Sequence, residues 1–125
     1  MTRDEYNLFC AALPATTHVV QWGGADVWKV GGKVFCIGGW AGTTEAPAFS
    51  FKTSEIAFEM LRERAGFRPA PYLASRGLKW IQAYDVRADE GAELRELIRQ
   101  SHHIVAAGLS HKLRRALGLD GPTLA

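Results

Sequence analysis

The sequence predicts a small α+β domain, a two-layer sandwich in which helices cover one face of a single antiparallel sheet. Two observations predict this class. Residues 18–52 contain four short runs rich in β-branched and aromatic residues, most of them separated by paired glycines, which is typical of a strand meander. Apolar residues recur at helical spacing before these runs, after them and near the end of the chain. The predicted order is α-β-β-β-β-α-β-α, and it leaves the second sheet face at least partly open to solvent.

Each predicted helix begins at a residue that can cap it. Thr2 and Glu5 form a capping box at the start of the first helix. Thr53 or Ser54 can cap the second, and Asp89 the long third helix. Apolar residues at i, i+3, i+4 and i+7 then give each helix one face for the core.

The four runs are the strands His18–Trp22, Val27–Val30, Lys33–Gly38 and Ala48–Lys52. Glycine pairs at 23–24, 31–32 and 38–39 supply the positive-φ residues that tight turns need, and close the first three strands. In the fourth strand Phe49 and Phe51 alternate with Ser50 and Lys52, which indicates one packed face and one wetter face. Residues 68–77 contain two prolines and are predicted as a loop, with a fifth strand over 78–84.

Length and composition fit one domain over residues 1–125. The formal net charge of +2 and the pI of about 8.7 permit nucleic-acid binding without requiring it. Cys10 and Cys36 belong to no Cys-x-x-Cys pair and are predicted to be buried thiols. The first residues lack an apolar signal core, and the longest uncharged stretch, residues 34–44, is too short to cross a membrane. We therefore expect a cytoplasmic protein with no membrane contact.

Several segments resemble one protein family in their order and spacing. They are Cys10-Ala-Ala-Leu-Pro14, Trp22, Val27-Trp28-Lys29-Val30 with Lys33-Val34-Phe35, Pro47 to Ser54, Arg68-Pro69-Ala-Pro-Tyr72-Leu73, the strand of Trp80, and Leu97-Ile98-Arg-Gln-Ser101 with Val105 and Leu109. Across roughly residues 5–117 they resemble the MmcQ/YjbR family. The resemblance implies a fold similar to CyaY, the bacterial frataxin, with a long C-terminal helix. It also implies DNA binding, the activity in the family's label, and it supplies no catalytic residues.

Nine basic and two aromatic side chains are candidate contacts to nucleic acid. Cations neutralise phosphates, and aromatic rings stack on unpaired bases. The candidates are Arg68, Tyr72, Arg76, Lys79 and Trp80 around the predicted loop, Lys29, Lys33 and Lys52 on the strands, and Lys112, Arg114 and Arg115 near the C-terminus.

Each group of candidates also has a purely structural interpretation. Tyr72 and Trp80 can be core aromatics with the cations extended around them. The strand lysines can keep the sheet soluble. Gly108 weakens the last helix and Ser110 can restart it, and cations near a helix C-terminus oppose the negative end of its dipole.

No catalytic arrangement is predicted. The glycine pairs lack the following helix and lysine of a phosphate-binding loop. His102 and His103 are adjacent, so on a helix they point about 100° apart, which argues against a shared metal ion and against a Ser101–His102 dyad. We expect a protein that is not an enzyme and needs no metal or cofactor.

Two functions remain open from the sequence. The first is a module that binds DNA weakly and in a salt-sensitive way through the basic candidates. The second is a protein-interaction or small-ligand domain that uses the wetter sheet face with Trp22, Trp28 and Trp40.

Overall fold

The computed structural model describes residues 1–42 and 47–119. Its helices are α1 (Arg3–Ala11), α2 (Glu55–Leu61), α3 (Gly91–Ala107) and α4 (His111–Ala116), with 3₁₀ turns at Ala74–Arg76 and Ala88–Glu90. Its strands are β1 (Thr16–Gln21), β2 (Ala25–Val30), β3 (Lys33–Gly42), β4 (Pro47–Lys52), β5 (Phe67–Pro69) and β6 (Trp80–Ala83). These strands form one antiparallel sheet in the order β1-β2-β3-β4-β6-β5. The predicted α+β class is confirmed.

The element order differs from the predicted one by an additional edge strand. Part of the predicted loop at residues 68–77 belongs to β5, a strand of three residues that pairs only with β6 at the sheet edge. Pro69 cannot donate a ladder hydrogen bond and is tolerated because β5 is an edge strand, so this strand carries a loop-like sequence. The restart of the last helix at Ser110 is confirmed, since α3 ends before Gly108 and the Ser110 side chain caps α4 by accepting a 3.1 Å bond from the Leu113 amide.

The start of α3 is fixed by an ion-pair cluster rather than by the predicted cap Asp89, which lies in the preceding 3₁₀ turn. Arg64 reaches across from the segment after α2 to Glu90 at 2.6 Å and also bonds Glu93. The hydrogen bond from the Arg64 side chain holds the pKa of Glu93 below its usual range. The cluster ties α2 and α3 together at one end.

The helix face of the sheet, against which α1, α2 and α3 pack, carries the main core. Tyr6 of α1 is its most constrained member: its hydroxyl donates a 3.0 Å bond to the Asp26 carbonyl and its ring lies 4.9 Å from the ring of Phe49. A Cβ added to Gly38 would lie 2.5 Å from the Tyr6 ring. The prediction that Gly38 and Gly39 close the third strand in a turn is therefore wrong. They lie within β3, where the absence of side chains lets α1 approach.

Asp26 joins α1 to the first two strands. Its carboxylate accepts hydrogen bonds from Arg3 Nε at 2.9 Å and from Arg3 Nη2 at 2.5 Å, and His18 Nε2 lies 2.7 Å from its other oxygen. Burial disfavours the charged carboxylate, but the bonds from His18 and Arg3 outweigh burial and hold the pKa of Asp26 below its usual range.

We predict that Asp26→Asn lowers the free energy of unfolding by about 2 kcal/mol, because Arg3 and His18 lose their hydrogen bonds to a charged acceptor. Urea denaturation at pH 7 measures this, with exposed Asp85→Asn as the charge-matched control. The wild-type pKa is depressed, so the Asp26 contribution is present above the unfolded value of about 3.9 and disappears as pH falls through the folded pKa. Equal stability of the two variants would contradict this role.

His102 is buried in the core, where its ring meets Phe35 edge-on with centroids 5.3 Å apart. Its Nε2 lies 2.8 Å from the Pro14 carbonyl oxygen, which can only accept, so Nε2 carries the proton. Burial lowers the pKa of His102, although the hydrogen bond to the Pro14 carbonyl acts in the opposite direction. Its imidazole therefore fills an aromatic position between α3 and the segment after α1.

We predict that the wild-type protein loses stability as pH falls below about 6.5, because a histidine exposed by unfolding takes up a proton more readily than His102 in the core. His102→Phe keeps the ring and removes this component, so its stability changes less between pH 7 and pH 5. His103→Gln is the neighbouring control. Parallel pH profiles for wild type and His102→Phe, measured by urea unfolding, would refute the assignment.

Candidate functional site

The far face of the sheet, opposite α1 and α3, has a second and smaller core. Its buried members are Ala25, Val27, Ile37, Ala70 and Trp80. This face is less exposed to solvent than predicted, since Ser50 is only 1% exposed. Gln82 lies beside Ser50 and donates a 3.3 Å hydrogen bond to its hydroxyl. Arg68 then donates two bonds, of 2.8 and 2.6 Å, to the Gln82 side-chain oxygen. The face is closed near β5 and open further along the sheet.

The open part of the far face forms an aromatic groove of about 450 Å³. Its lining comes from the β1–β2 turn, from β3, from the segment between β5 and β6 and from the start of β6. It consists of Trp22, Val34, Ile37, Trp40, Tyr72, Leu73, Arg76, Leu78 and Trp80. The rings of Trp22 and Trp40 lie 5.4 Å apart, and Trp22 is 51% exposed. Tyr72 is 67% exposed, whereas Trp80 is buried as part of the floor.

Trp28 is not part of this surface, which corrects the predicted set of three tryptophans. Its ring lies on the helix face, 4.8 Å from the ring of His18, and its Nε1 donates a 2.9 Å bond to Asn7 of α1. The alternation along β2 places Val27 on the far face and Trp28 opposite.

Two aromatic residues of the groove hold a strained backbone. Trp22 has φ +53° and Tyr72 φ +73°, in the left-handed region that bulky residues rarely adopt. Such strain persists only where the surrounding structure imposes it, and it concentrates at functional sites. The Arg76 guanidinium lies 5.8 Å from the centre of the Tyr72 ring, so the strained turn presents an aromatic ring and a cation together.

Six of the fifteen lysines and arginines pair with a carboxylate of the described residues: Arg3, Arg62, Arg64, Arg87, Arg95 and Arg99. For the other nine, no carboxylate oxygen lies within 4.0 Å in the part of the chain that the structure describes. These nine are the basic residues singled out from the sequence, namely Lys29, Lys33, Lys52, Arg68, Arg76, Lys79, Lys112, Arg114 and Arg115.

The nine cations fall into separate groups rather than one. Lys29 and Lys52 project to the far face, because each is opposite a far-face residue, Val34 and Trp80 respectively. Their strands flank β3, which places the two backbones about 10 Å apart. Arg68 and Arg76 lie on the same side, over the rings of Tyr84 and Tyr72. These four cations therefore lie on the face that carries the aromatic groove, and Arg76 also lines the groove.

The remaining cations lie elsewhere. Lys79 Nζ is 4.8 Å from the ring centre of Phe58, a main-core residue of α2. Lys33 is opposite Val30 and so lies on the helix face, on the other side of the sheet from Lys29 and Lys52. The turn before Lys33 abuts Leu109, since a Cβ on Gly31 would lie 2.5 Å from the Leu109 side chain. Lys33 is therefore at the same end of the molecule as α4.

The cations of α4 are partly used within the protein. Arg114 donates a 3.4 Å bond to the Ala107 carbonyl at the end of α3, and Arg115 donates to His111 Nε2 at 2.7 Å. The Arg114 contact fits the helix-terminus interpretation, whereas the Arg115 contact joins two side chains one turn apart on α4. Lys112 is exposed.

The sequence predicts Trp22 and Trp40 on this face and singles out Tyr72, Arg76 and Trp80, but it does not predict that these five residues line one groove. Trp40 and Leu78 became lining residues because β3 continues past its glycines and because the 70–79 segment folds back over the sheet. Among the residues described, no three His, Cys, Asp or Glu side chains are placed to hold a metal ion. No helix in the described ranges is long and apolar enough to span a bilayer.

The fold and the groove define a small α+β domain with a helix-covered sheet and an aromatic-lined second face. The chain belongs to the YjbR family, whose model matches residues 11–104. In structure it is similar to Deinococcus radiodurans protein DR2400, which carries the domain DUF419, the same family, with a TM-score of 0.74 and 23% identity over 94% of this chain and 88% of that one. No curated protein matches the sequence.

We predict that Tyr72→Gly is more stable than Tyr72→Ala by about 1 kcal/mol, because both variants lose the ring and only glycine adopts a positive φ without strain. At an unstrained exposed position alanine is the more stable of the two. Urea denaturation of both variants measures the difference, and exposed Ser75, in the 3₁₀ turn, serves as the control site. Alanine more stable than glycine at position 72 would show that the turn is relaxed.

Proposed function

We propose that this protein is a non-catalytic, cytoplasmic module that binds single-stranded nucleic acid on its far face. The observation that carries the proposal is that the face with the aromatic groove also carries cations for which the described residues provide no carboxylate partner. Lys29 and Lys52 lie on the sheet, and Arg76 lies over Tyr72 at the rim. Modules that bind single strands combine a cationic track for the backbone with rings on which bases stack.

The apolar groove favours a single strand over a duplex. Trp22 and Tyr72 expose half or more of their surface, and Trp40 stands beside Trp22. A paired base has both faces stacked inside the helix and offers no surface to such rings, whereas an unpaired base does. The chain's net charge of +2 adds little long-range attraction. Affinity should therefore be modest, and phosphate contacts should give little sequence preference.

Charge neutralisation tests the proposal with a closely matched control. The triple variant Lys29→Gln, Lys52→Gln, Arg76→Gln removes three unpaired cations of the far face. The control Arg62→Gln, Arg87→Gln, Arg99→Gln removes three cations that are already paired with carboxylates. Both variants have the same net charge, so a difference between them reports location rather than total charge.

We predict that the far-face triple variant binds a labelled single-stranded oligonucleotide at least tenfold more weakly, and that the control retains most of the affinity. The magnitude of the slope of log K against log salt should fall by about 2 in the far-face variant, because three phosphate contacts are lost and each contributes roughly 0.7. Fluorescence anisotropy at two or more salt concentrations measures both quantities. Absence of binding by the wild-type protein at low salt, or equal losses in the two variants, would refute the proposal.

The second candidate is a small apolar ligand or a protein segment bound in the same groove. The mostly apolar lining favours it, because ligand pockets combine such walls with few polar groups. Binding that is insensitive to salt and to the far-face triple variant, but lost in Tyr72→Ala, would favour this candidate over nucleic acid. The tryptophans of the groove provide an intrinsic fluorescence signal for that comparison.

A further inference from the structure

The two edges of the sheet are protected very differently. β5, at one edge, is three residues long and contains Arg68 and Pro69. Short length, charge and proline are the features that keep an edge strand from pairing with another chain. β1, at the other edge, is six residues long, Thr-Thr-His-Val-Val-Gln, and contains no lysine, acid or proline. Four of its six residues are β-branched, which favours strand pairing.

Exposed apolar side chains surround the β1 edge. Val20 is 58% exposed and Val19 36% exposed. Leu8 of α1, which shares a surface depression with His18, is 73% exposed, and Trp22 follows directly after the strand. An unpaired backbone edge flanked by exposed apolar groups on both faces is a surface suited to a partner strand.

We propose that β1 pairs antiparallel with β1 of a second copy of this chain, related by a two-fold axis that passes by Val19. A two-fold axis makes the same patch serve both partners, so the surface must be self-complementary. β1 meets this requirement because its neutral residues oppose no like charges when the strand pairs with itself.

The pleat of the sheet restricts the register. Residues directly opposite in an antiparallel pair share a face, so the axis must pass by a residue and not between two. Centring on Val19 places Val19 opposite its copy on the far face and His18 opposite Val20 on the helix face, and it pairs residues 17–21 of the strand. Centring on Val20 would pair only residues 19–21. Centring on His18 would oppose two imidazoles that each lie 2.7 Å from an Asp26 carboxylate, which the Val19 register avoids.

This pairing joins two six-stranded sheets into one of twelve strands, with both far faces on the same side. The inference stands independently of the proposed function, because it rests on the edge strand and not on the cations. Where both hold, the dimer presents two aromatic grooves to one ligand, and binding would gain from two linked sites.

The first test is the oligomeric state of the full chain by analytical ultracentrifugation over a range of protein concentrations. We expect a monomer–dimer equilibrium that Val19→Lys weakens at least tenfold, since two ammonium groups would face each other at the axis. Val19→Thr, which keeps the β-branch, should dimerise like the wild type. Ile56→Lys adds the same charge on exposed α2 and should have no effect. Thermal unfolding of each variant separates loss of pairing from loss of fold.

The second test is cross-linking, which reads the register directly. In the proposed register Val19→Cys places two thiols opposite each other, whereas two copies of Thr17→Cys lie four residues out of line, about 13 Å apart. A disulfide cannot bridge Cα atoms more than about 7 Å apart. Cys10 and Cys36 are buried and should not interfere. Rapid disulfide formation by Val19→Cys alone supports the inference.

Three outcomes would overturn it. They are a monomer at every concentration, equal cross-linking of the two cysteine variants, and a dimer that Val19→Lys leaves intact. A monomer whose β1 edge instead captures an added extended peptide would likewise reject the second copy as the occupant.

Discussion

A six-stranded sheet has two faces, and in the part of the chain that the structure describes the α-helices packed on the sheet cover one of them. α1, α2 and α3 all pack on the helix face, where Tyr6, Phe49 and Ile98 are buried. Of the described residues, the irregular segment 70–79 covers the other face, and it is too short to reach across all six strands. The polar pair Ser50 and Gln82 fills its closed end, and the aromatic groove remains where the cover stops. The candidate site thus follows from an incomplete second layer.

The charge distribution follows the same division. The acids of the 3₁₀ turn and α3 are occupied by arginines of the helical layer: Glu90 and Glu93 by Arg64, and Glu96 by Arg99. Surface pairs of this kind contribute little stability, but they neutralise one side of the molecule. Lysines on the far face have no such neighbours among the described residues. A chain with a formal charge of only +2 can therefore present a cationic face, because the described carboxylates that form ion pairs lie in the helical layer or on the helix face of the sheet.

Periodicity and capping predicted the fold class well, because local rules decide them. The capping box of Thr2 and Glu5, the break before Ser110 and the inward alternation of Phe49 and Phe51 are confirmed. The errors come from tertiary contacts that leave no local trace. Gly38 sits in a turn-like dipeptide but serves the approach of Tyr6, and β5 exists only because β6 offers an edge. The candidate site was predicted only in part for the same reason. The sequence identifies the cations, but the tertiary fold determines which of them lie near the aromatic rings.

Several departures from local rules lie close together, in the aromatic groove and at the β1 edge. Trp22 and Tyr72 adopt positive φ, the edge strand β1 lacks protective charge, and its Val20 remains exposed. Elsewhere, α1 and α2 begin at side-chain caps, and the main core is filled by buried side chains. Natural sequences that satisfy local, packing and electrostatic preferences in one region and violate them together in another usually do so where they bind something. The β1 edge and the aromatic groove adjoin at Trp22, so a ligand on the far face and a partner at the edge would act on neighbouring parts of one surface.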